Sequence, residues 1–264
     1  MKENANDYNQ FKNDILSLTG IDLNAYKERQ MKRRINTLCE RYGFQSYDEF
    51  FRDLKKNQEH RKDFMNYLTI NVSEFYRNPQ QWQVLETKVI PELLQGNRHS
   101  LKIWSAACST GDEPYTIIMI LKELFPNVNV KLRATDLDDK VIAYAKEGRY
   151  TKKSLAGLPT QYINKYFKKE DNGMYQLSKE IMNCVEFQQH NLLADPYDTN
   201  YDLIVCRNVL IYFTEEAKLE VFKRFHRSLR LNGYLFIGST EQILQARAIH
   251  FEPCYSFFYK KDRL

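Results

Sequence analysis

The sequence predicts an α/β protein in which an all-helical amino-terminal region precedes a mostly parallel sheet covered by helices. Three observations carry that prediction. About the first ninety residues show only helical periodicity. Beyond Gly96 short strands alternate with helices, and several of those strands are continuously apolar, as strands buried on both faces are.

Taken in order, Asp7 to Leu18 sets Tyr8, Phe11, Ile15 and Leu18 near a 3.6-residue period, and the Thr19-Gly20 turn ends that helix. Met31, Ile35, Leu38 and Tyr42 then repeat at helical spacing as an anchoring face. On the adjacent face Lys27, Arg34 and Arg41 recur every seven residues, with Arg33 beside them. Gly43 stops this second helix. Ser46 with Glu49 resembles a capping box and opens a short helix through Phe50, Phe51 and Leu54. A fourth helix covers 59–68. A fifth runs from Pro79 to Leu94, with the proline in the first turn, where its missing N–H costs least.

After Gly96, Leu101 to Trp104 is a strand that ends in the small-residue turn Ser105 to Gly111, and a helix follows from Pro114 to Phe125. Val130 to Thr135 is the next strand, ending at Asp136, with a helix over 138–146. Strands follow at 185–188 and 203–206, then a helix over 215–229, a strand over 233–238, and a terminal aromatic strand, Tyr255 to Tyr259, expected to run antiparallel at an edge. Between Gly148 and Cys184 the alternation breaks. Asp171-Asn172-Gly173 marks a turn there, so a helix plus hairpin is expected. The expected organisation is a helical domain over 1–78, a sheet domain over 79–264, and a small inserted β-subdomain over 148–184.

With 43% hydrophobic and 28% charged residues in 264, the composition suits one large or two modest soluble domains. No apolar run is long enough to span a bilayer, and the polar start lacks an export-type apolar segment, so a cytoplasmic protein is expected. The five cysteines are dispersed without a CxxC pair, and the five histidines show no ligand spacing. No metal is assigned. Net charge is only +5, but Lys146 to Lys169 holds seven basic residues against Glu147, and Lys27 to Arg34 holds five against Glu28. Such basic faces steer acidic partners.

Three strand ends carry chemistry. The Ala106 to Glu113 loop is small enough for a ligand to approach backbone at a helix start. It has no phosphate-cradling glycine pattern, and Asp112 and Glu113 would repel a pyrophosphate, so the ligand end near it is neutral or cationic. Asp136 ends the next strand, where an acid can accept from two ribose hydroxyls. His190-Asn191-Leu192 and Cys206 to Leu210 can read an adenine edge through Asn191 and Asn208, with Leu192 or Val209 against the ring. Together they favour an adenosine-containing cofactor without pyrophosphate, which S-adenosylmethionine fits.

Asn71-Val-Ser-Glu-Phe-Tyr-Arg-Asn-Pro79, Trp104-Ser-Ala-Ala-Cys-Ser-Thr-Gly-Asp-Glu-Pro-Tyr115, Ala134-Thr-Asp-Leu-Asp138 and Cys206-Arg-Asn-Val-Leu-Ile-Tyr-Phe213 closely resemble the motifs of the CheR family, the chemotaxis-receptor glutamate O-methyltransferases. The order and spacing match as far as Gly238 to Glu241. The resemblance implies a class I S-adenosylmethionine-dependent, Rossmann-like methyltransferase domain, a helical receptor-recognition domain and a small β-subdomain. It implies cofactor contacts at Asn71, Ser73, Arg77, Glu113, Asp136, Asn191, Leu192, Asn208 and Val209. Ser73 stands where many members have threonine, and Asp112 where many have glutamate. The 167–174 stretch lacks the Arg-Gly loop by which some relatives tether to a receptor pentapeptide, and so resembles the pentapeptide-independent members.

On this reading the reaction is methyl transfer to receptor glutamates, with S-adenosylhomocysteine as product. Arg77 and Tyr212 are expected at the reacting end. Lys27, Arg33, Arg34 and Arg41 would meet the acidic methylation helices of membrane chemoreceptors. A cytoplasmic monomer recruited to receptor arrays at the membrane is expected, with no direct membrane insertion. Two other readings remain. One is a nucleic-acid methyltransferase, because Lys146 to Lys169 could follow a phosphate backbone; the sequence after Cys206 lacks the Pro-Pro and adjacent aromatic of amino-directed base methyltransferases, so no nucleic acid is expected. The other is a catalytically inactive module that binds S-adenosylmethionine.

Overall fold

A computed structural model of the chain describes residues 5–69, 71–96 and 98–263. The chain divides into two compact units, the first formed by residues up to 70 with 193–195 and 209–221, the second by the remainder.

In the first unit, α1 (Ala5–Thr19), α2 (Glu28–Arg41), α3 (Tyr47–Lys56) and α4 (Gln58–Leu68) pack through the apolar stripes read in the sequence. Tyr8, Phe11, Ile15, Met31, Ile35, Leu38, Phe50, Leu54 and Phe64 are all buried. Burying such a side chain contributes about 1.5–3 kcal/mol, and Phe11 meets Phe50 and Phe64 with ring centroids 6.0 and 6.2 Å apart. Tyr42 departs from its expected anchoring place: α2 ends at Arg41, and Tyr42 is the cap residue, half-buried on His60 at 4.2 Å. Cys39 is buried in its stead. Ser46 caps α3 by accepting the Glu49 N–H at 3.2 Å, whereas the Glu49 carboxylate takes the Gln45 N–H.

The second unit begins with α5 (Pro79–Val84), a wider π-turn over Leu85–Val89 and α6 (Ile90–Leu93). There follow β1 (Ser100–Ala106), α7 (Asp112–Leu124), β2 (Asn129–Asp136) and α8 (Asp139–Glu147). Next come β3 (Arg149–Tyr150), α9 (Thr160–Tyr166), β4 (Phe167–Lys169), β5 (Tyr175–Leu177) and α10 (Lys179–Met182). The last elements are β6 (Val185–Gln189), β7 (Tyr201–Cys206), α11 (Glu215–Ser228), whose residues up to Val221 belong to the first unit, β8 (Leu229–Ile237), β9 (Phe251–Tyr255) and β10 (Phe258–Lys261).

Seven strands form the main sheet in the order β6-β2-β1-β7-β8-β10-β9. β6, β2, β1, β7 and β8 pair in parallel. The chain winds outward from β1 through β2 to β6, then returns to β7 on the other side of β1. The carboxyl ends of β1 and β7 therefore flank the switch point where α/β sheets bind ligands.

The terminal aromatic segment departs from expectation. It is a hairpin, β9 turning at Ser256-Phe257 into β10, and the antiparallel strand β10 lies between β8 and β9 instead of at the edge. The expected hairpin in the insertion is present, with Met174 N–H on Asn172 Oδ1 at 2.9 Å in its turn. β3 adds a third strand, giving the order β3-β5-β4.

Candidate active site

The turn after β1 holds the backbone in an uncommon conformation. Ala107 (φ 59°), Ser109 (φ 49°) and Gly111 (φ 86°) all lie in the left-handed region. For a non-glycine residue that costs about 1–2 kcal/mol, so the surroundings must impose it. Cys108 N–H bonds to Thr135 O at 2.9 Å, and Tyr150 Oη donates to Thr110 O at 2.7 Å. At Gly111 an added Cβ would sit 2.9 Å from the Ala145 Cβ, so only glycine lets the turn close against α8. The helix expected from Pro114 starts two residues earlier, at Asp112, which is buried and accepts from Thr110 Oγ1 at 2.5 Å.

Asp136 stands at the end of β2. One carboxylate oxygen accepts the Ser109 N–H at 2.8 Å, the other the Asp138 N–H at 3.0 Å. Each oxygen keeps acceptor capacity for one further donor, as a vicinal diol would provide. Burial pushes the Asp136 carboxyl upward, and the two N–H groups oppose that. The neighbouring Ser109 Oγ is buried without a hydrogen-bond partner among the described residues.

Glu113 occupies the first turn of α7. Its Oε1 accepts from Ser105 Oγ at 2.9 Å and its Oε2 lies 3.6 Å from Arg207 Nη1. Burial raises its carboxyl to about 7, with Arg207 pulling the other way. A half-buried acid so incompletely neutralised suits a cationic ligand group. The charges of Glu113 and Asp136 both reach the Cys108 and Cys206 thiols. These are buried and raised well above their ordinary range, which makes Cys108 a small packing residue and not a nucleophile.

Asn208 follows β7 in the left-handed region (φ 62°). Its N–H bonds to Glu241 Oε2 at 2.7 Å, and the same oxygen takes the Gly238 N–H at 2.8 Å. An added Cβ at Gly238 would lie 2.6 Å from that oxygen. Sequence reasoning missed the roles of Glu241 and Arg207; the signal was polarity immediately behind apolar strands.

Several other expected contacts have protein partners. Asn71 Nδ2 donates to Asp138 Oδ2 at 2.7 Å. Ser73 hydrogen-bonds to Asp112. Leu192 is buried and its carbonyl accepts from Tyr197 Oη, while Asn191 is half-buried beside it. Arg77 is half-buried, with Nη1 3.4 Å from Val72 O. These residues, with Glu113, Asp136 and Asn208, belong to the second unit; Val209 and Tyr212 belong to the first, where Tyr212 O accepts the Lys27 N–H at 2.9 Å.

The basic residues of α2 divide differently from the expected stripe. Arg34 is turned inward, its guanidinium donating to Tyr67 O and lying over the Tyr67 ring, where Arg41 also sits at 5.1 Å. A second basic face is formed by exposed Arg29 and Arg33 with half-buried Lys32, whose Nζ lies 5.1 Å from the Tyr8 ring centroid; with Asn36, Thr37 and Glu40 they line a shallow depression of about 430 Å³, and Arg41 of the stripe is exposed as well. Arg33 alone belongs to both groups. Among the described residues no cluster of His, Cys, Asp and Glu could hold a metal ion, and no helix is long and apolar enough to cross a membrane.

Residues 71–257 match the CheR methyltransferase SAM-binding domain, and residues 6–69 match the CheR methyltransferase all-alpha domain. The chain is 40% identical over 255 residues to a chemotaxis protein methyltransferase of Listeria innocua, covering 97% of each. It is 33% identical over 250 residues to the chemotaxis protein methyltransferase Cher2 of Pseudomonas putida, covering 90% of each. A chemotaxis protein methyltransferase of Borreliella burgdorferi is 32% identical over 236 residues, covering 85% of this chain and 83% of that one. The resemblance carried by the motifs thus extends over both regions, and the chain belongs to the CheR methyltransferase family.

Proposed function

We propose that this chain transfers methyl groups from S-adenosylmethionine to glutamate side-chain carboxylates of chemoreceptors, forming methyl esters. The observation that supports this best is the pair of partly open carboxylates beyond the carboxyl ends of β2 and β1, buried Asp136 and half-buried Glu113. Asp136 would accept the ribose hydroxyls and Glu113 the ammonium. Asn191, Leu192 and Asn208 would contact the adenine, with Arg77 at the carboxylate end. Asn71 and Ser73 would act by steadying Asp138 and Asp112. The family resemblance adds Val209 to the adenine contacts, and the place of Tyr212 four residues past Asn208 assigns it to the reacting end. The bound cofactor supplies an electrophilic methyl group.

The acceptor needs no general base, because a glutamate with a pKa of about 4.3 is already ionised at neutral pH. The residues' work is to orient and to exclude water, and positioning can contribute roughly 7–11 kcal/mol. The α2 face of Arg29, Lys32 and Arg33 would recruit acidic receptor helices, raising encounter rate more than final affinity. On the same reading the protein acts as a cytoplasmic monomer at receptor arrays, without a pentapeptide tether.

Incubation of the chain with methyl-labelled cofactor and receptor-bearing membranes is expected to give base-labile label on receptors. Base-stable label on lysine, or no receptor label, would overturn the proposal.

A further inference from the structure

Arg207 leaves the carboxyl end of β7 with its side chain 3% exposed, and its guanidinium joins two parts of the site. Nη2 donates to Arg77 O at 2.9 Å, Asn78 Oδ1 at 3.1 Å and Gln81 Oε1 at 2.8 Å. Its centre lies 5.3 Å from the Trp82 ring centroid and 4.8 Å from that of Phe236, so the plane is held by aromatic faces as well as by acceptors. Nη1 is the group that faces Glu113.

The segment it grips is conformationally demanding. Tyr76 (φ 56°) and Asn78 (φ 60°) both lie in the left-handed region, with Arg77 between them. The Arg77 carbonyl takes a second donor, Trp82 Nε1, at 2.9 Å. The Arg77 backbone is therefore fixed, while its own guanidinium remains half-exposed for another anion.

We infer that Arg207 is a positioning residue, which fixes the Arg77-Asn78 turn and holds Glu113 as an oriented anion for the cofactor's ammonium. One buried cation would thus set the geometry for both ends of the cofactor's amino-acid moiety. The inference rests on the cofactor reading above and extends it to a residue that would not touch the cofactor.

The groups that act on Glu113 are Arg207, Ser105 and Glu241, and its charge also reaches the Cys108 and Cys206 thiols, which burial keeps protonated. Arg207 and the Ser105 hydroxyl favour its ionised form, whereas burial and the Glu241 charge oppose it. Arg77 and Glu241 also act on Arg207. Removing the Arg207 charge leaves burial and Glu241 opposed only by one hydroxyl, so Glu113 takes up a proton at higher pH and loses its attraction for an ammonium.

The test is calorimetric titration of S-adenosylhomocysteine, and separately of adenosine, which lacks the amino-acid end, across roughly pH 6–8. The proteins are wild type, Arg207→Met, Arg207→Lys and Glu113→Gln. Wild-type affinity for S-adenosylhomocysteine is expected to fall as pH drops through about 7. In Arg207→Met that fall moves up by about one pH unit, weakening S-adenosylhomocysteine about fivefold at pH 7 and approaching tenfold toward pH 6. Adenosine binding stays within about threefold throughout. Arg207→Lys keeps the wild-type midpoint, because it keeps the charge, but loses affinity for S-adenosylhomocysteine alone, because a single ammonium cannot serve the same spread of acceptors. An unchanged midpoint in Arg207→Met, with both ligands weakened equally, would make Arg207 a packing residue and overturn the inference. If the methionine variant does not fold, equal weakening of both ligands in Arg207→Lys overturns it as well. Unaltered S-adenosylhomocysteine affinity in Glu113→Gln would instead remove the underlying cofactor assignment.

Discussion

Arg34 lies over the ring of Tyr67, its guanidinium carbon 4.7 Å from the ring centroid, and donates to the carbonyl of that same residue. Tyr67 is in the last turn of α4, and Thr69 O lies 3.5 Å from the same nitrogen. Arg34 therefore satisfies carbonyls that the end of a helix leaves without partners, and its charge opposes the negative end of the helix dipole. Arg34→Ala is expected to destabilise the protein by about 1–2 kcal/mol, the range of a charged hydrogen bond at a half-buried site. Arg34→Lys should restore part of that. Chemical denaturation gives the values, and a loss below roughly 0.5 kcal/mol would return Arg34 to the surface role its spacing suggested.

Recruitment is expected to depend on the other face of α2. An Arg29→Glu, Lys32→Glu, Arg33→Glu triple variant should methylate receptors slowly and with little salt dependence, while the wild-type rate falls with ionic strength. Single reversals should have small effects, since exposed pairs are each worth about 0–1 kcal/mol. Cofactor affinity should not change. Initial rates on receptor membranes at several salt concentrations decide it: equal salt slopes would remove this face from recognition.

Both the stripe and the face were written in the sequence, but periodicity alone could not rank them. Residues seven apart share a helix face, yet what decides their availability is what packs over them, and Tyr67 comes from a different helix. The carboxy-terminal hairpin was illegible for a local reason. Its turn is made by Ser256-Phe257 with Phe257 at φ 70°, so no glycine, asparagine or proline marks it inside an aromatic run. The Asp136 end of β2 was legible because an acid closing an apolar strand is a distinctive pattern. Arg207 was not, because a buried guanidinium is recognisable only from the groups that surround it.

Asp136 is expected to be the residue whose loss costs most cofactor affinity. Asp136→Asn replaces one acceptor oxygen by a donor, which faces either the Ser109 or the Asp138 N–H and disturbs the turn that presents the ligand. Loss of two charge-assisted hydrogen bonds to a diol corresponds to about 3 kcal/mol, or roughly a hundredfold in affinity. Adenosine should be weakened as much as S-adenosylhomocysteine, because the effect lies at the shared ribose. Titration of both ligands checks this, and a loss confined to S-adenosylhomocysteine would contradict the ribose assignment.

Glu113 gives a stability prediction whose sign can be worked out without ligand. Burial raises its carboxyl from 4.5 to about 7 in the folded protein, so over that interval the folded state holds more protons than the unfolded one. Stability contributed by this group is then fully present below pH 4.5 and is lost as pH rises toward 7. Glu113→Gln cannot titrate, so its stability relative to wild type should increase with pH through the same interval and level off above it. Taking the difference between the two proteins removes every carboxylate they share. Saturating S-adenosylhomocysteine should reverse the order above neutral pH, because wild type binds it more tightly and is stabilised in proportion to the logarithm of ligand over Kd. Thermal melts of both proteins at several pH values, with and without ligand, measure each part. A Glu113→Gln variant that loses ground to wild type as pH rises in the absence of ligand would show that Arg207 outweighs burial at this carboxylate.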